Sequence, residues 1–240
     1  MTQALPRLYL LDVEGTVAPI SLVYEQLFPF AREHFAEFLE ENYAEPAVVA
    51  DLKLLAEENR VDLEAPQIVD AGQPDHAIAY LNWLIDRDRK STALKSLQGR
   101  IWKRGFESGE LKGILYPDVP AALDRWTASA QVAIYSSGSV DAQRLLFRYS
   151  TFGDLTSRIA AYFDTRTGAK TARESYVAIA TAMKLQPQQV LFFSDVVREL
   201  DPAREAGFDT RLVLREGNTA VADPHGHIAV ESFDGIPMRI

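Results

Sequence analysis

The sequence predicts an α/β fold with an open parallel β-sheet and a helical segment inserted after the first strand. Two patterns predict it. Short apolar runs that end in polar turn residues alternate with helix-like segments through residues 114–240, whereas residues 22–113 carry apolar side chains at helical spacing and no such runs. Alternating strands and helices are typical of right-handed βαβ units. Hydrophobic residues at 47% and charged residues at 25% are ordinary for a globular protein.

The first strand is predicted at residues 8–11, where a continuous apolar run ends at Asp12 and is followed by Gly15 and Thr16. Such a run, bounded by turn residues, indicates a strand buried on both faces of a parallel sheet. The same pattern recurs at residues 132–135, 190–193 and 211–214. Helices are predicted between these strands at residues 118–129, 140–149, 171–183 and 197–206.

The inserted segment is predicted to be a bundle of four or five helices. Its candidate helices are residues 23–43, 46–59, 75–88 and 91–108. The expected division is therefore a core domain of residues 1–21 and 114–240, and a helical domain of residues 22–113.

Composition and charge exclude several classes of partner. The net charge of −9 and a pI near 5.0 offer no basic surface for nucleic acid. The longest stretch without Asp, Glu, Lys or Arg is 15 residues, 126–140, and a membrane-spanning helix needs about 18 apolar residues. There are no cysteines, which removes disulfides and thiolate chemistry. No secretory signal is visible, so a cytoplasmic protein is expected.

Two carboxylates directly follow the first predicted strand. Asp12 and Glu14 are two positions apart, so in extended geometry both side chains lie on one face. Carboxylates held together repel unless a cation is present, and hard oxygen ligands suit Mg²⁺. The alternative interpretation, a solvated turn, stays open for this segment alone.

A second acidic group follows the strand at residues 190–193. Asp195 and Glu199 are spaced to share one helix face, with Asp201 further along, although an acid at this junction also commonly caps a helix. Ligands of open parallel sheets bind beyond the carboxyl ends of the strands. Asp12, Ser136 and Asp195 all fall at such ends, so they are expected to converge on one crevice.

Candidate phosphate-binding residues lie in two other turns. Ser136 and Ser137 precede a predicted helix, where hydroxyl and backbone N–H groups bind anions or simply cap the helix. Lys170 also precedes a helix and either neutralises phosphate or is a surface lysine. His225 and His227 are expected in a surface loop rather than at a metal.

Taken in order, the motif Asp12-x-Glu14-Gly15-Thr16, then Ser136, Lys170 and Ser194-Asp195, resembles the four motifs of the haloacid dehalogenase-like phosphohydrolases. That resemblance implies a Rossmann-like parallel-sheet core with an inserted helical cap. Glu14 stands where most phosphatases of the superfamily have Asp. Glu14 and five further segments make the chain similar to the enolase-phosphatase family of methionine salvage. Those segments are residues 19–21, 27–31, 97–102, 109–113 and 116–119.

The resemblance implies a role for each matched residue. Asp12 would be the nucleophile and form an aspartyl-phosphate, and Glu14 would be the acid/base. Ser136, Ser137 and Lys170 would hold the phosphoryl group, Lys170 also counting among the catalytic residues. The metal ligands would be Asp12, Glu14 and Asp195, with Mg²⁺ as the cofactor.

The resemblance also implies the substrate. It would be 2,3-diketo-5-methylthiopentyl-1-phosphate, which is enolised and then dephosphorylated to the acireductone 1,2-dihydroxy-3-keto-5-methylthiopentene. Three alternatives stay open: a magnesium-dependent phosphatase for another small phosphate ester, a metal-independent haloalkanoate dehalogenase, and a non-catalytic binding module. A monomer is expected.

Overall fold

The computed structural model describes residues 6–69 and 74–236, and the chain divides into two compact units. The first unit comprises Met1–Val23 and Lys112–Ile240, and the second comprises Tyr24–Leu111. The boundaries expected from sequence, 21/22 and 113/114, each differ from these by two residues. The assignment of the second unit as a cap domain stays a prediction.

The first unit contains a parallel sheet, as the sequence predicts. The described residues form the strands β1 (Leu8–Leu11), β2 (Gln131–Tyr135), β3 (Ala161–Phe163), β4 (Val190–Ser194), β5 (Asp209–Val213) and β6 (Ile228–Val230). Their order is β3-β2-β1-β4-β5-β6, and every neighbouring pair is parallel. The α/β fold class with a Rossmann-like core is therefore confirmed. The sequence analysis missed β3 and β6, because three residues are too few to form a recognisable apolar run.

Eight α-helices are described. They are α1 (Phe28–Asn42), α2 (Pro46–Val61), α3 (Pro74–Asp86), α4 (Thr92–Ser108), α5 (Val119–Thr127), α6 (Val140–Arg148), α7 (Arg173–Ala182) and α8 (Val197–Glu205). None of the helices in the described ranges is long and apolar enough to span a membrane.

The second unit is helical and has a core of its own. Helices α1–α4 bury apolar residues against one another, among them Phe35, Leu55 and Leu97. Residues 23–43 are expected to form one helix, but this prediction is wrong at its start, where Leu22–Leu27 form a π-helix before α1. Pro29 has no N–H to donate to the carbonyl of Glu25, so α-helical hydrogen bonding is not continuous there.

The sheet of the first unit is buried on both faces. All four residues of β1 are fully buried, as expected for the central strand of a parallel sheet. On one face Trp126 of α5 stacks on Tyr9, with ring centroids 4.4 Å apart, and also contacts Phe193 and Phe233. This aromatic cluster fixes α5 against the two strands that end at the candidate site.

We expect Trp126→Ala to lower the free energy of unfolding by about 3–5 kcal/mol, because the substitution opens a cavity beneath three rings. Urea denaturation followed by circular dichroism measures this change. Phe152→Ala is the control, because Phe152 is 46% exposed; it should lower the free energy by less than about 1 kcal/mol. A similar small loss for Trp126→Ala would contradict the central role of this cluster.

Candidate active site

The candidate site lies at the carboxyl edge of the sheet. Asp12 follows β1, Ser136 follows β2, and Asp195 follows β4. Because β1 lies between β2 and β4 and all three are parallel, these positions come to the same edge. A direct contact joins two of the turns: the Ser136 hydroxyl donates to Glu14 Oε2 at 3.3 Å. The convergence expected from sequence is therefore present in the structure.

A buried lysine connects two carboxylates at the centre of the site. Lys170 Nζ donates to Asp12 Oδ1 at 2.5 Å and to Glu199 Oε2 at 2.6 Å. The side chains of Lys170 and Asp12 are 9% and 4% exposed. Glu199 is held in turn by the Ser194 hydroxyl, which donates to the same Oε2 atom at 2.9 Å. Lys170 is thus a buried ion-pair partner and not a surface lysine.

Three hydroxyl groups fix the backbone that carries Lys170. They donate to the carbonyls of residues 168–170: Tyr135 to the first at 2.9 Å, Ser175 to the second at 2.7 Å, and Tyr176 to the third at 2.6 Å. Tyr135 ends β2, and Ser175 and Tyr176 lie in α7. The lysine is therefore positioned by the core of the first unit rather than by its own turn alone.

The charges of the site shift its acid–base equilibria. Burial raises the pKa of Asp12 well above its usual range; Lys170 opposes this, and neighbouring carboxylates, Glu199 foremost, add to it. Burial and then Glu199 raise the pKa of Asp195 to about 6. Burial would lower the pKa of Lys170, but the carboxylates of Asp12 and Glu199 outweigh it and raise that pKa. The lysine therefore stays protonated.

The turn before α6 supplies hydrogen-bond donors. Ser136 is buried, and its hydroxyl accepts from the Gly138 N–H at 3.0 Å. Ser137 is half-buried in the same turn, and Ser139 caps α6 by accepting from the Ala142 N–H at 3.2 Å. A helix N-terminus preceded by hydroxyls is suited to an anion such as phosphate.

Gly15 permits a close approach between the first turn and Asp195. A Cβ atom at residue 15 would lie 2.3 Å from Asp195 Oδ2, and the φ angle of +73° also favours glycine. The other carboxylate oxygen, Asp195 Oδ1, is buried and has no hydrogen-bond partner among the described residues. A buried acceptor without a partner is suited to a cation or to an ordered water.

The carboxylates of the site fit Mg²⁺, because this ion needs few ligands from the protein. In residues 6–69 and 74–236, no group of three or more His, Cys, Asp or Glu side chains is arranged to hold a metal ion. Mg²⁺ commonly takes one or two carboxylates and completes its shell with waters and substrate oxygens. Asp12 and Asp195 offer these two carboxylates, and the Glu14 side chain is directed to Ser136.

Sequence reasoning missed or misplaced several residues near the site. Glu199 is expected to accompany Asp195, but its partner is Lys170. Asp201 does not join these acids; it pairs with Arg204, His225 and His227. The tyrosines that hold the lysine backbone gave no signal, because each lies in a segment where an aromatic residue is expected for packing alone.

The two C-terminal histidines have different environments. His225 is half exposed, as expected for a surface loop. The interpretation is wrong for His227, whose side chain is fully buried. Its Nδ1 lies 2.7 Å from the Thr210 hydroxyl and its Nε2 lies 3.1 Å from Asp201 Oδ1. Strand β6 begins directly after His227, and Thr210 lies in the neighbouring strand β5.

A family model described as haloacid dehalogenase-like hydrolase matches residues 6–207, so the chain belongs to this class of hydrolase. The enolase-phosphatase E1 of Synechococcus elongatus is 52% identical over 94% of this chain and 95% of its own length. That of Leptospira borgpetersenii is 44% identical over 95% and 96%. The crystal structure of the UTR4 protein of Saccharomyces cerevisiae has a TM-score of 0.79 and 35% identity, covering 96% of this chain and 99% of that one. The chain therefore belongs to the enolase-phosphatase E1 family within the haloacid dehalogenase-like hydrolases, which confirms the resemblance seen in the sequence.

We expect Asp195→Asn to stabilise the metal-free protein at pH 8 by about 1–2 kcal/mol, because it removes a half-buried charge beside other carboxylates. The pKa of Asp195 is raised from 3.8 to about 6 in the folded state, so the folded state binds the extra proton between these values. The loss of unfolding free energy caused by the Asp195 charge is therefore absent below pH 3.8 and complete above pH 6.

Urea denaturation in the presence of EDTA measures this difference. Asp154→Asn is the matched control, because hydrogen bonds from Thr156 lower the pKa of Asp154 and its replacement should destabilise the protein. A metal-free Asp195→Asn protein less stable than the parent at pH 8 would show that this carboxylate is not under electrostatic strain.

Proposed function

We propose that this protein is a bifunctional enolase-phosphatase. It enolises 2,3-diketo-5-methylthiopentyl-1-phosphate and then hydrolyses the phosphate ester to give the acireductone 1,2-dihydroxy-3-keto-5-methylthiopentene. The observation that carries the chemistry is the buried Asp12 carboxylate, hydrogen-bonded to Lys170 beside the turn that contains Ser136. The specific substrate is supported by the relatives named enolase-phosphatase E1, whose sequences match nearly the whole chain.

Asp12 is the proposed nucleophile. Lys170 is hydrogen-bonded to the Oδ1 atom of Asp12. The other carboxylate oxygen, Oδ2, would therefore attack phosphorus in line with the leaving oxygen. A bond between Oδ2 and phosphorus forms while the ester P–O bond breaks, and the product is an aspartyl-phosphate. Water then attacks this phosphorus, which releases inorganic phosphate and restores the carboxylate.

Glu14 is the proposed acid/base, because it lies in the same turn as the nucleophile and contacts Ser136. It would protonate the leaving oxygen in the first step and accept a proton from water in the second. Ser136 and Ser137 would donate hydrogen bonds to the phosphoryl oxygens, and Lys170 would offset their negative charge.

Asp12, Asp195 and Glu14 are the proposed ligands of Mg²⁺. The Glu14 side chain is given the acid/base role and contacts Ser136, so its backbone carbonyl is the proposed Glu14 ligand atom. When bound, Mg²⁺ supplies the positive charge that lets a phosphate dianion approach a carboxylate nucleophile, and it polarises the carbonyl oxygens of the diketone.

The proposed organisation is that of a monomer with a core domain and a cap domain. The unit Tyr24–Leu111 is the proposed cap domain, corresponding to residues 22–113 in the sequence prediction. The protein is proposed to act as a cytoplasmic monomer on a small phosphorylated diketone, without nucleic-acid or membrane partners. Size-exclusion chromatography with light scattering tests the monomer, for which a mass near 26.8 kDa is expected.

The function is tested by turnover of the diketo-methylthiopentyl phosphate with Mg²⁺, following enol absorbance and phosphate release together. We expect the enol to precede phosphate, and EDTA to abolish phosphate release. Release without an enol intermediate would point to a phosphatase for another small ester. Binding of the substrate without any turnover would point to a non-catalytic module.

Asp12→Asn is expected to abolish phosphate release, because the amide is not a nucleophile but has the same volume. Glu14→Gln should reduce the rate by about 10²–10⁴-fold, the usual contribution of a general acid or base. Circular dichroism should show an unchanged fold for both variants. Appreciable turnover by Asp12→Asn would rule out the aspartyl-phosphate route.

A further inference from the structure

The loop after β5 reaches back to the turn that follows Asp12. Arg215 Nε donates to the carbonyl of Thr16 at 3.3 Å, and Asn218 Nδ2 donates to the carbonyl of Gly15 at 2.9 Å. Two side chains of one loop thus hold two successive carbonyls of the nucleophile turn. The sequence shows this loop only as a turn after a strand, and none of the chemistry described so far uses it.

Arg215 is itself rigidly held. Its side chain is 7% exposed, and its guanidinium lies 4.4 Å from the ring centroid of Tyr116 and 4.7 Å from that of Phe233. Its Nη1 atom pairs with Asp118 Oδ2 at 2.9 Å. A buried arginine that is stacked on two rings and paired with a carboxylate has little freedom, so its contact with Thr16 fixes the turn.

Asn218 lies next to the approach of Asp195 to Gly15. At the place where a Cβ of residue 15 would lie, Asp195 Oδ2 is 2.3 Å away and Asn218 Nδ2 is 3.1 Å away. The carboxylate and the amide therefore pack against the same side of the glycine. A side chain at residue 15 would therefore clash with the Asp195 carboxylate.

Two acceptor atoms at this place have no donor. Asp195 Oδ1 and Asn218 Oδ1 are both buried, and neither has a hydrogen-bond partner among the described residues. Burying an acceptor without a donor is unfavourable, so such atoms usually indicate a ligand or an ordered water. A hydrated cation would satisfy both acceptor atoms. The cation would bind the Asp195 carboxylate, and one of its waters would donate to the Asn218 amide oxygen.

We propose that Arg215 and Asn218 are positioning residues of the metal site. Arg215 fixes the Thr16 carbonyl, and Asn218 fixes the Gly15 carbonyl and accepts a hydrogen bond from a water on the cation. Together they hold the nucleophile turn beside Asp195, the second proposed carboxylate ligand of the ion. The inference rests on the proposed function, since it takes the ion at Asp12 and Asp195 to be Mg²⁺.

The test compares Asn218→Ala with Thr219→Ala, an exposed neighbour in the same loop. Mg²⁺ binding is measured without substrate, as the rise in thermal midpoint with increasing Mg²⁺. The Mg²⁺ concentration for half-maximal turnover and the KM for the phosphate ester are measured separately. We expect Asn218→Ala to need about tenfold more Mg²⁺ in both assays, the usual effect of losing a partner outside the ligands. Its KM at saturating Mg²⁺ should match that of Thr219→Ala, whereas its metal-free midpoint should be lower because the hydrogen bond to the Gly15 carbonyl is lost.

Arg215→Lys is the second variant. It keeps the charge opposite Asp118 but loses the Nε donor to Thr16 and the planar stacking, so it should also weaken Mg²⁺ binding about tenfold. Unchanged Mg²⁺ affinity in both variants would overturn the proposal. A lower metal-free midpoint with unchanged Mg²⁺ affinity would also overturn it, because that result describes a purely structural role.

The parent protein separates this inference from the function it rests on. If the parent binds Mg²⁺ and releases phosphate while both variants match it, the inference fails and the proposed function stands. If the parent shows neither Mg²⁺-dependent stabilisation nor turnover, the proposed function fails, and the assignment of these two residues fails with it.

Discussion

The ion pair of Lys170 with Asp12 and Glu199 is the interaction on which the rest of the site depends. An isolated carboxylate buried at the end of β1 would bind a proton and lose its nucleophilic character, because desolvation favours the neutral acid. Lys170 opposes this effect, and it does so only where its backbone is held. That backbone is hydrogen-bonded by hydroxyls of Tyr135 and Tyr176. The apolar core and the catalytic charge are therefore parts of one packing arrangement.

The parallel sheet explains why much of this arrangement is predictable from sequence. A buried parallel strand needs an apolar run, and its carboxyl end needs a turn, so Asp12 and Asp195 are marked by position before any fold is known. The same reasoning fails for β3 and β6, which are edge strands of three residues each and therefore too short to show an apolar run. It also fails for His227, whose buried side chain contacts Thr210 of β5 and Asp201 of α8, because no local pattern marks these contacts.

The residues that sequence reasoning missed act through contacts between distant segments. Tyr135 looks like the last apolar residue of a strand, yet its hydroxyl bonds a carbonyl 33 residues away. Asn218 lies in an irregular loop and contacts Gly15 across 203 residues. Neither contact has a local spacing that would reveal it. Glu199 is intermediate: its helix face is predicted from its spacing to Asp195, but its partner becomes known only when α7 and α8 pack together.

The charge balance of the site connects its stability to its chemistry. Lys170 and the carboxylates of Glu14, Asp195 and Glu199 all lie close enough to Asp12 to act on its charge, so negative charge exceeds positive charge when no other ion is present. A phosphate dianion would add to this excess and would be repelled from the carboxylate that must attack it. The proposed divalent cation would offset this excess, because it would lower the repulsion among the acids and attract the phosphoryl oxygens. In the proposed mechanism, the carboxylates that are close together in the metal-free protein are therefore the groups that would bind the cation, and the turn at Gly15 would keep Asp195 beside Asp12 for this purpose.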